Sequence, residues 1–283
     1  MIIDIRLRPP YGSFLKMAAP YGERGRAIAA RAHLEMPPAA RKASMPLLLS
    51  EMEAAGVTIG LVSGKAMEPG VPNAEVARIC REYPGRFIGA ANIDPDGEPT
   101  ASADELRRCV QELGMRGLVL ETGWSRQGIT VDSRRLYPVY EEARRLQVPV
   151  FFTLSLFVGA DIGYCQQSLI ALDRVAGDFP DVAFVVSHGG WPYVETAIGL
   201  ALKRANVYLS PDFYSMGFPL AQPYFVAANG FLQDQFVFGS AYPFYPLDEA
   251  VTYYRGAIAS DAIRSKVFFA TAARLLKLDV AGR

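Results

Sequence analysis

The sequence predicts a single-domain (β/α)8 TIM barrel that spans residues 1–283. Eight short apolar runs of strand type alternate with helical segments, and eight parallel strands are the number that closes such a sheet. A length of 283 residues is normal for one α/β barrel. The first strand-to-helix turn lacks a glycine-rich phosphate fingerprint, which disfavours the alternative, an open doubly wound sheet.

The first predicted strand covers residues 1–9 and ends where the active site of a barrel begins. Apolar residues at positions 3, 5 and 7 alternate with Asp4, Arg6 and Arg8, which is the period of two that a strand imposes. Arg6 and Arg8 are therefore expected on one face. Two guanidinium groups on one face repel each other, so they need either protein carboxylates or an anionic ligand as partners.

The remaining elements follow in alternation. Residues 9–45 hold five prolines and several glycines, so this stretch is interpreted as a long insertion over the mouth of the barrel. Gly56 is a typical helix stop, and Ser102 with Glu105 has the spacing of a capping box. Further strands are predicted at 57–62, 87–93, 117–120, 148–154, 182–186, 206–209 and 235–238, and helices at 46–55, 74–83, 102–113, 136–146, 165–176, 193–204, 223–229, 247–259 and 262–276.

Composition excludes several classes of function. With 51% hydrophobic and 20% charged residues, the composition is typical of a globular protein. The formal net charge is zero, which argues against binding to nucleic acid or to an anionic membrane surface. Cys80, Cys109 and Cys165 are odd in number and are expected to be reduced, buried thiols. With no leader and no long apolar run, we expect a cytoplasmic protein. Apolar surface near Tyr253 and Tyr254 is compatible with a homodimer.

Polar residues collect at the ends of the predicted strands, where barrels place their chemistry. So many convergent polar groups are more typical of a ligand site than of packing. In strand order they are Arg6 and Arg8; Ser63 and Lys65; Asn92 and Asp94; Glu121, Thr122 and Trp124; Thr153 and Ser155; His188 and Trp191; Ser210, Asp212 and Tyr214; and Ser240 and Tyr242.

Two segments, 185–192 (VVSHGGWP) and 238–244 (FGSAYPF), resemble the amidohydrolase-related family, which includes carboxymuconate-semialdehyde decarboxylase-like enzymes and pyrone dicarboxylate lactonases. Weaker similarity runs through the first strand and residues 136–150, 206–208 and 272–276. The resemblance implies a barrel with a divalent metal held by His-x-His on strand one, a His on strand five and an Asp on strand eight. It also implies a further His on strand six.

This chain departs from that metal-binding pattern. The expected metal ligands fall on Arg6, Arg8, Thr153 and Ala241, and His188 alone remains. An arginine side chain has no lone pair for a cation, so we predict neither a catalytic metal nor another cofactor. A hard-ion site made by Asp94, Glu121 and Asp212 is conceivable, but the two arginines would oppose it.

Three functional hypotheses remain. In the first, the protein is a metal-independent hydrolase of lactonase type, or a decarboxylase, that acts on a small carboxylate-bearing molecule. In the second, the barrel is inactive and binds an anionic metabolite. In the third, Arg6 and Arg8 pair with Glu121 and Asp212, and surface interactions carry the function. For the first hypothesis the catalytic candidates are His188, Glu121 and Asp212, and the substrate-binding candidates are Arg6, Arg8, Lys65, Asn92, Thr153, Ser155, Trp191, Ser210 and Tyr242.

Overall fold

The computed structural model describes residues 1–17, 21–31, 33–159 and 161–278, and at its centre lies a parallel sheet of seven strands in sequential order. Each strand pairs with the next one along the chain, as where Leu118 lies opposite Val150. The strands are β1 (Ile2–Asp4), β2 (Val57–Ser63), β3 (Phe87–Asn92), β4 (Leu118–Leu120), β5 (Val150–Thr153), β6 (Phe184–Ser187) and β7 (Val207–Ser210).

Helices connect these strands, as the alternation of the sequence predicts. In the described residues they are α1 (Glu23–Arg31), α2 (Pro38–Arg41), α3 (Met45–Ala55), α4 (Asn73–Glu82), α5 (Pro99–Gln111), α6 (Tyr137–Leu146), α7 (Gly163–Asp178), α8 (Val194–Lys203), α9 (Gln222–Asn229), α10 (Leu247–Ala257), α11 (Asp261–Ser265) and α12 (Thr271–Leu275). The long insertion contains α1 and α2, and its residues 18–20 and 32 lie outside the described part. The chain therefore has the α/β architecture of a TIM barrel.

The core has two layers. Inside the barrel a small cluster fills the space between the strands, with Ile5, Val119 and Phe151 among its members. A larger cluster packs the outer faces of the strands against the helices. This arrangement explains why the short strands are apolar on both faces, which is typical of parallel sheets.

The predicted eighth strand is not confirmed as a regular strand. Residues 235–238 bridge β7 through Leu209, which donates to the carbonyl of Gln235 at 2.8 Å and accepts from Val237 at 3.0 Å. On the other side, the backbone N–H of Ile5 donates to the carbonyl of Phe238 at 3.2 Å. This segment therefore lies between β7 and β1 and joins them by isolated hydrogen bonds.

Asp4 explains both the irregular eighth segment and the early end of β1, which was predicted to continue to residue 9. Its buried carboxylate accepts from the backbone N–H of Arg6 at 2.9 Å and from that of Ser240 at 3.0 Å. The Ser240 hydroxyl donates to the same carboxylate. Because a side chain takes hydrogen bonds that a sheet would give to carbonyl groups, the ladder is interrupted here. It resumes beyond Asp4, where the N–H of Leu7 donates to the carbonyl of Leu61 at 3.3 Å and the N–H of Arg8 donates to that of Tyr242 at 3.1 Å.

Three other predictions need correction. The α5 helix begins at Pro99, and the side chain of Glu98 caps it by accepting from the N–H of Ala101, so Ser102 is not the cap. The last predicted helix is divided by a π-helical turn, Lys266–Ala270, whose Val267 carbonyl accepts from the N–H of Phe238 at 3.0 Å. Tyr254 is buried, so only Tyr253 of the predicted apolar surface is partly exposed.

Among the described helices, none has both the length and the apolar composition that a membrane crossing requires.

We predict that Asp4→Ala lowers the free energy of unfolding by about 2–5 kcal/mol, because two buried N–H donors lose their acceptor. Ser240→Ala removes only the hydroxyl group and should cost about 1 kcal/mol. Urea denaturation followed by circular dichroism measures both changes. Asp181 is exposed and provides the matched control, for which Asp→Ala should change stability by less than about 0.5 kcal/mol. A loss for Asp4→Ala no larger than that of the control would contradict this role.

Candidate active site

The site is built on a polar layer at the carboxyl ends of the strands. Residues two positions apart on a strand point to the same face. The residue two positions after each member of the inner apolar cluster is therefore expected to point into the barrel one layer closer to the carboxyl end. The inner cluster contains Leu61, Ala90, Val119, Phe151, Val185, Tyr208 and Val237, and two residues further along lie Ser63, Asn92, Glu121, Thr153, Ser187, Ser210 and Gly239. The barrel interior therefore changes from apolar to polar within one layer, at the end where α/β barrels bind their ligands.

A cavity of about 260 Å³ opens above this layer. Polar and charged residues form its deep part, and aromatic and aliphatic residues from the loops form its walls. It is lined by Arg6, Arg8, Met17, Ile28, Lys65, Pro69, Glu121, Trp124, Thr153, Ser155, Phe157, Val158, His188, Phe213, Tyr214, Ala241 and Phe244. A mainly apolar pocket with a few convergent polar groups is typical of a small-molecule site.

His188 and Asp212 form a fixed pair beside the cavity. The Nδ1 atom of His188 lies 2.8 Å and 2.9 Å from the two carboxylate oxygens of Asp212, and the backbone N–H of His188 donates to one of these oxygens at 3.1 Å. The Asp212 side chain is fully buried. Because a carboxylate only accepts hydrogen bonds, Nδ1 carries the proton, and the lone pair of a neutral imidazole is on Nε2.

The free nitrogen of His188 faces Arg6. Its Nε2 atom lies 3.2 Å from Nη2 of Arg6, which is a donor, so this contact also requires an unprotonated Nε2. Burial lowers the pKa of His188, and the charges of Arg6 and Arg8 lower it further against the opposing effect of Asp212. The geometry and the electrostatics agree on a neutral histidine whose basic nitrogen lies at the cavity.

The two arginines lack carboxylate partners. In the described part of the chain neither side chain forms a direct ion pair, so the expected pairing with Glu121 and Asp212 is not found. Asp212 is engaged by His188, and the charges of Glu121 and Asp212 still act on Arg8. The Nε atom of Arg6 and the Nη1 atom of Arg8 are buried without any hydrogen-bond partner. Burial lowers the pKa of Arg8 to about 10, with a further contribution from Arg6, and Arg8 remains charged at neutral pH.

The backbone is strained at three positions around the cavity. His188, Asp212 and Ala241 have φ values of 66°, 42° and 57°, in the left-handed region that residues other than glycine rarely adopt. Such conformations cost about 1–3 kcal/mol each and persist only where surrounding contacts enforce them. The site thus holds its histidine–aspartate pair in a geometry that the free chain would disfavour.

Four predicted substrate-binding residues do not line the cavity. The amide of Asn92 accepts from the N–H of Ala66 at 2.7 Å and donates to the carbonyl of Val119 at 2.9 Å. Tyr242 donates to the carboxylate of Glu51 in α3. Ser210 is buried without a partner. Trp191 stacks on Tyr214 at a centroid distance of 5.4 Å. These residues support the site from outside the cavity.

Several wall residues could not be predicted from the sequence. Met17 and Ile28 come from the insertion after β1, and Phe157, Phe213 and Phe244 come from loops that follow other strands. The insertion was expected over the mouth of the barrel, and Met17 and Ile28 place it there. A strand-end rule cannot select the loop residues, because the direction of a loop side chain has no fixed period.

The residues at the expected metal positions do not fit a divalent cation. Arg6 and Arg8 have no lone pair to give, and their positive charges would repel the ion. Thr153 and Ala241 cannot replace the expected histidine and aspartate. In the ranges of the chain that the structure covers, no three side chains of the His, Cys, Asp and Glu types come together to hold a metal.

Comparison with solved structures supports the fold. A TIM-barrel protein of uncharacterised function from Bordetella bronchiseptica is 35% identical and superposes with a TM-score of 0.91, with 98% of each chain covered. The structure of dihydroxybenzoic acid decarboxylase from Polaromonas sp. JS666, which contains bound manganese, is 18% identical with a TM-score of 0.72 over 99% of this chain and 98% of that one. At the latter identity the likeness concerns the fold alone.

Sequence comparison identifies the family. Gamma-resorcylate decarboxylase from Rhodococcus jostii is 28% identical over 251 residues, which cover 73% of this chain and 75% of that protein. The model of the amidohydrolase family, Amidohydro_2, matches residues 3–278. Since this match extends over nearly the whole length and agrees with the barrel and its strand-end cavity, the chain belongs to the amidohydrolase family.

Proposed function

We propose that this protein is a decarboxylase that acts on a small carboxylate-bearing molecule, and that Arg6 and Arg8 take the place of the metal site. One observation carries the proposal. The guanidinium groups of Arg6, which is buried, and Arg8, which is half-buried, line the cavity without an ion-pair partner in the described residues, next to Nε2 of His188. The relative named gamma-resorcylate decarboxylase supports this reaction class.

The unpaired charges favour an anionic ligand. A buried charge that forms no ion pair loses hydration that an anionic ligand can replace. A carboxylate satisfies the free N–H groups of Arg6 and Arg8 with charge-assisted hydrogen bonds, and its geometry matches a guanidinium group. The apolar walls would cover the rest of a small ligand, as in most small-molecule sites.

The same residues support the proposal that the reaction needs no metal. The two guanidinium groups supply fixed positive charge where the family resemblance expects a cation, and they can stabilise negative charge that develops on a substrate oxygen. In the proposed reaction, no step uses a metal ion or another cofactor.

Decarboxylation breaks the bond between the substrate carbon and its carboxylate. Carbon dioxide leaves, the bonding electron pair remains on the carbon, and that carbon takes up a proton. The arginines accelerate this step when they bind the substrate oxygen on which negative charge accumulates in the transition state. Binding of the departing carboxylate alone would stabilise the ground state and would not accelerate the reaction.

His188 is the proposed proton carrier. A bound anion would compete for Nη2 of Arg6 and release Nε2 of His188 from its contact with that group. Its negative charge would also offset the charges of Arg6 and Arg8, which lower the pKa of His188. Ligand binding should therefore raise this pKa, so that His188 takes up a proton and passes it to the carbon, while Asp212 stabilises the imidazolium. Glu121 lines the cavity and is the second candidate for proton transfer.

Hydrolysis of a lactone is the second candidate reaction. The contacts with Asp212 orient His188 so that the lone pair on its Nε2 atom lies at the cavity. In a neutral His188, Nε2 is suited to remove a proton from water. The arginines would then stabilise the oxyanion. The remaining alternative is binding without turnover.

A turnover assay tests the proposal. Protein treated with a chelator is incubated with 2,6-dihydroxybenzoate, related hydroxybenzoates and lactones, and product release is followed. We expect turnover of at least one acid, and a decrease of about 10²–10⁴-fold in His188→Ala because general acid–base catalysis is lost. Arg6→Met should weaken carboxylate binding by about 1.5–3 kcal/mol.

Arg126→Met provides the matched control, since Arg126 is 75% exposed and lies outside the cavity lining. This variant should retain turnover and affinity. Activity that appears only after a divalent metal is added back would contradict the metal-independent reaction. Thermal stabilisation by acids without any turnover would identify a binding protein.

A second prediction concerns the protonation state of His188 in the free protein. In an NMR titration its imidazole should titrate below 6.5, its ordinary value, because burial and the neighbouring arginines disfavour the charged form. Arg6→Met should raise the pKa of His188. The chain contains only one other histidine, His33, and His33→Gln assigns the two signals. A titration above 6.5 in the free wild-type protein, or one that Arg6→Met leaves unchanged, would contradict the assigned tautomer and its contact with Arg6.

A further inference from the structure

We propose that Tyr21 is a positioning residue for Arg8 and that it couples the insertion after β1 to anion binding in the cavity. The inference rests on the proposed function, in which Arg6 and Arg8 bind an anionic group. It adds a regulation of the same site. The strap, defined as residues 21–31, docks more firmly when an anion is bound, and an anion binds more tightly when the strap is docked.

The strap covers the mouth of the barrel through apolar contacts. Ile28 lines the cavity, and so does Met17, which precedes the strap. Ile28 also packs against a small apolar cluster that contains Phe213 and Tyr214, two further residues of the cavity wall. A ligand in the cavity therefore lies between the strap and the barrel.

A hydrogen bond from Tyr21 joins the strap to the barrel. The hydroxyl group of Tyr21 donates to the backbone carbonyl of Arg8 at 2.6 Å. In the described part of residues 17–34, no other hydrogen bond reaches beyond the insertion. The ring of Tyr21 is half-buried and packs against the main hydrophobic core. Burial raises the pKa of Tyr21 well above its ordinary value, so the phenol keeps the proton that it donates.

This contact acts on the site through the main chain of Arg8. The backbone N–H of Arg8 donates to the carbonyl of Tyr242 at 3.1 Å, so the barrel holds the N–H and the strap holds the carbonyl. The next two residues, Pro9 and Pro10, have no N–H and cannot continue a sheet ladder. The Tyr21 hydroxyl therefore fixes the backbone that carries the Arg8 side chain.

The guanidinium group of Arg8 depends on that fixed backbone. It lines the cavity, its Nη1 atom is buried without a hydrogen-bond partner, and it forms no direct ion pair in the described residues. Binding a ligand removes rotamer freedom from a long side chain, and a side chain that is already placed loses less of it. Because coupling between two equilibria is reciprocal, an anion that orders Arg8 also strengthens the docking of the strap.

Tyr21→Phe tests the coupling, because it removes only the hydroxyl group. Benzoate is the probe, and calorimetry gives its Kd for the wild-type protein, Tyr21→Phe, Arg8→Met and the double variant. We expect Tyr21→Phe to raise the Kd about three- to tenfold, as the loss of one hydrogen bond allows, and Arg8→Met to raise it about tenfold or more. In the Arg8→Met background, Tyr21→Phe should add less than about 1.5-fold, because the side chain that it positions is gone.

Hydrogen exchange of the strap gives the reciprocal measurement. Saturating benzoate should slow amide exchange in residues 21–31 about tenfold in the wild-type protein and about threefold or less in Tyr21→Phe. A purely structural role of Tyr21 would change the exchange of the free protein and leave the effect of benzoate as it is in the wild-type protein.

Tyr11→Phe is the matched control. Tyr11 lies in the same insertion, its hydroxyl group donates to the Glu82 carboxylate at 2.8 Å, and it lies outside the cavity lining. This variant should keep the wild-type Kd and the wild-type effect of benzoate on the strap. If Tyr21→Phe keeps the wild-type Kd while Arg8→Met raises it, or if Tyr21→Phe raises the Kd equally in the Arg8→Met background, the role of Tyr21 is overturned.

The proposed function fails in a different way. If the wild-type protein does not bind benzoate, or if Arg6→Met and Arg8→Met both bind it as tightly as the wild-type protein, then the arginines do not form a carboxylate site and the role of Tyr21 is overturned with it. If Arg6→Met alone raises the Kd, the carboxylate site stands and the coupling through Arg8 is overturned.

Discussion

The positive charges of Arg6 and Arg8, which form no ion pair in the described part of the chain, set the properties of this site. Arg6 and Arg8 are adjacent in the barrel, each lowers the pKa of His188, and each keeps an N–H group without a partner. Their mutual repulsion and desolvation are offset by an anionic ligand, which is therefore the natural complement of this pair. The same charges disfavour a cation, so one pair of residues accounts for both the expected ligand and the loss of the metal-binding pattern.

The fold holds these charges through the junction between the first strand and the segment that follows β7. Asp4 binds the backbone of both Arg6 and Ser240, and it thereby fixes where β1 ends and where Ala241 turns. Strained backbone at Ala241, His188 and Asp212 surrounds the same point. Stability and function are therefore coupled here, because the contacts that enforce the strain also orient the functional groups.

Much of the architecture could be predicted from the sequence, because apolar runs and helical segments alternate regularly and parallel strands end at one side of the sheet. That rule predicted that Arg6, His188 and Thr153 lie together, and all three line the cavity. It could not show that Asn92 and Tyr242 turn to protein partners, since hydrogen-bond choice depends on neighbours distant in sequence. The count of eight strands was not confirmed because a side chain, Asp4, replaces part of the expected ladder.

The most direct test of the account is a crystal structure of the protein grown with both manganese and a bound carboxylate ligand, with anomalous data collected at the manganese edge. The account predicts carboxylate oxygens within about 3.2 Å of the guanidinium groups of Arg6 and Arg8, and no manganese coordinated by side chains at the cavity floor. A manganese ion held there by protein ligands, with the two arginines turned away from the ligand, would contradict it.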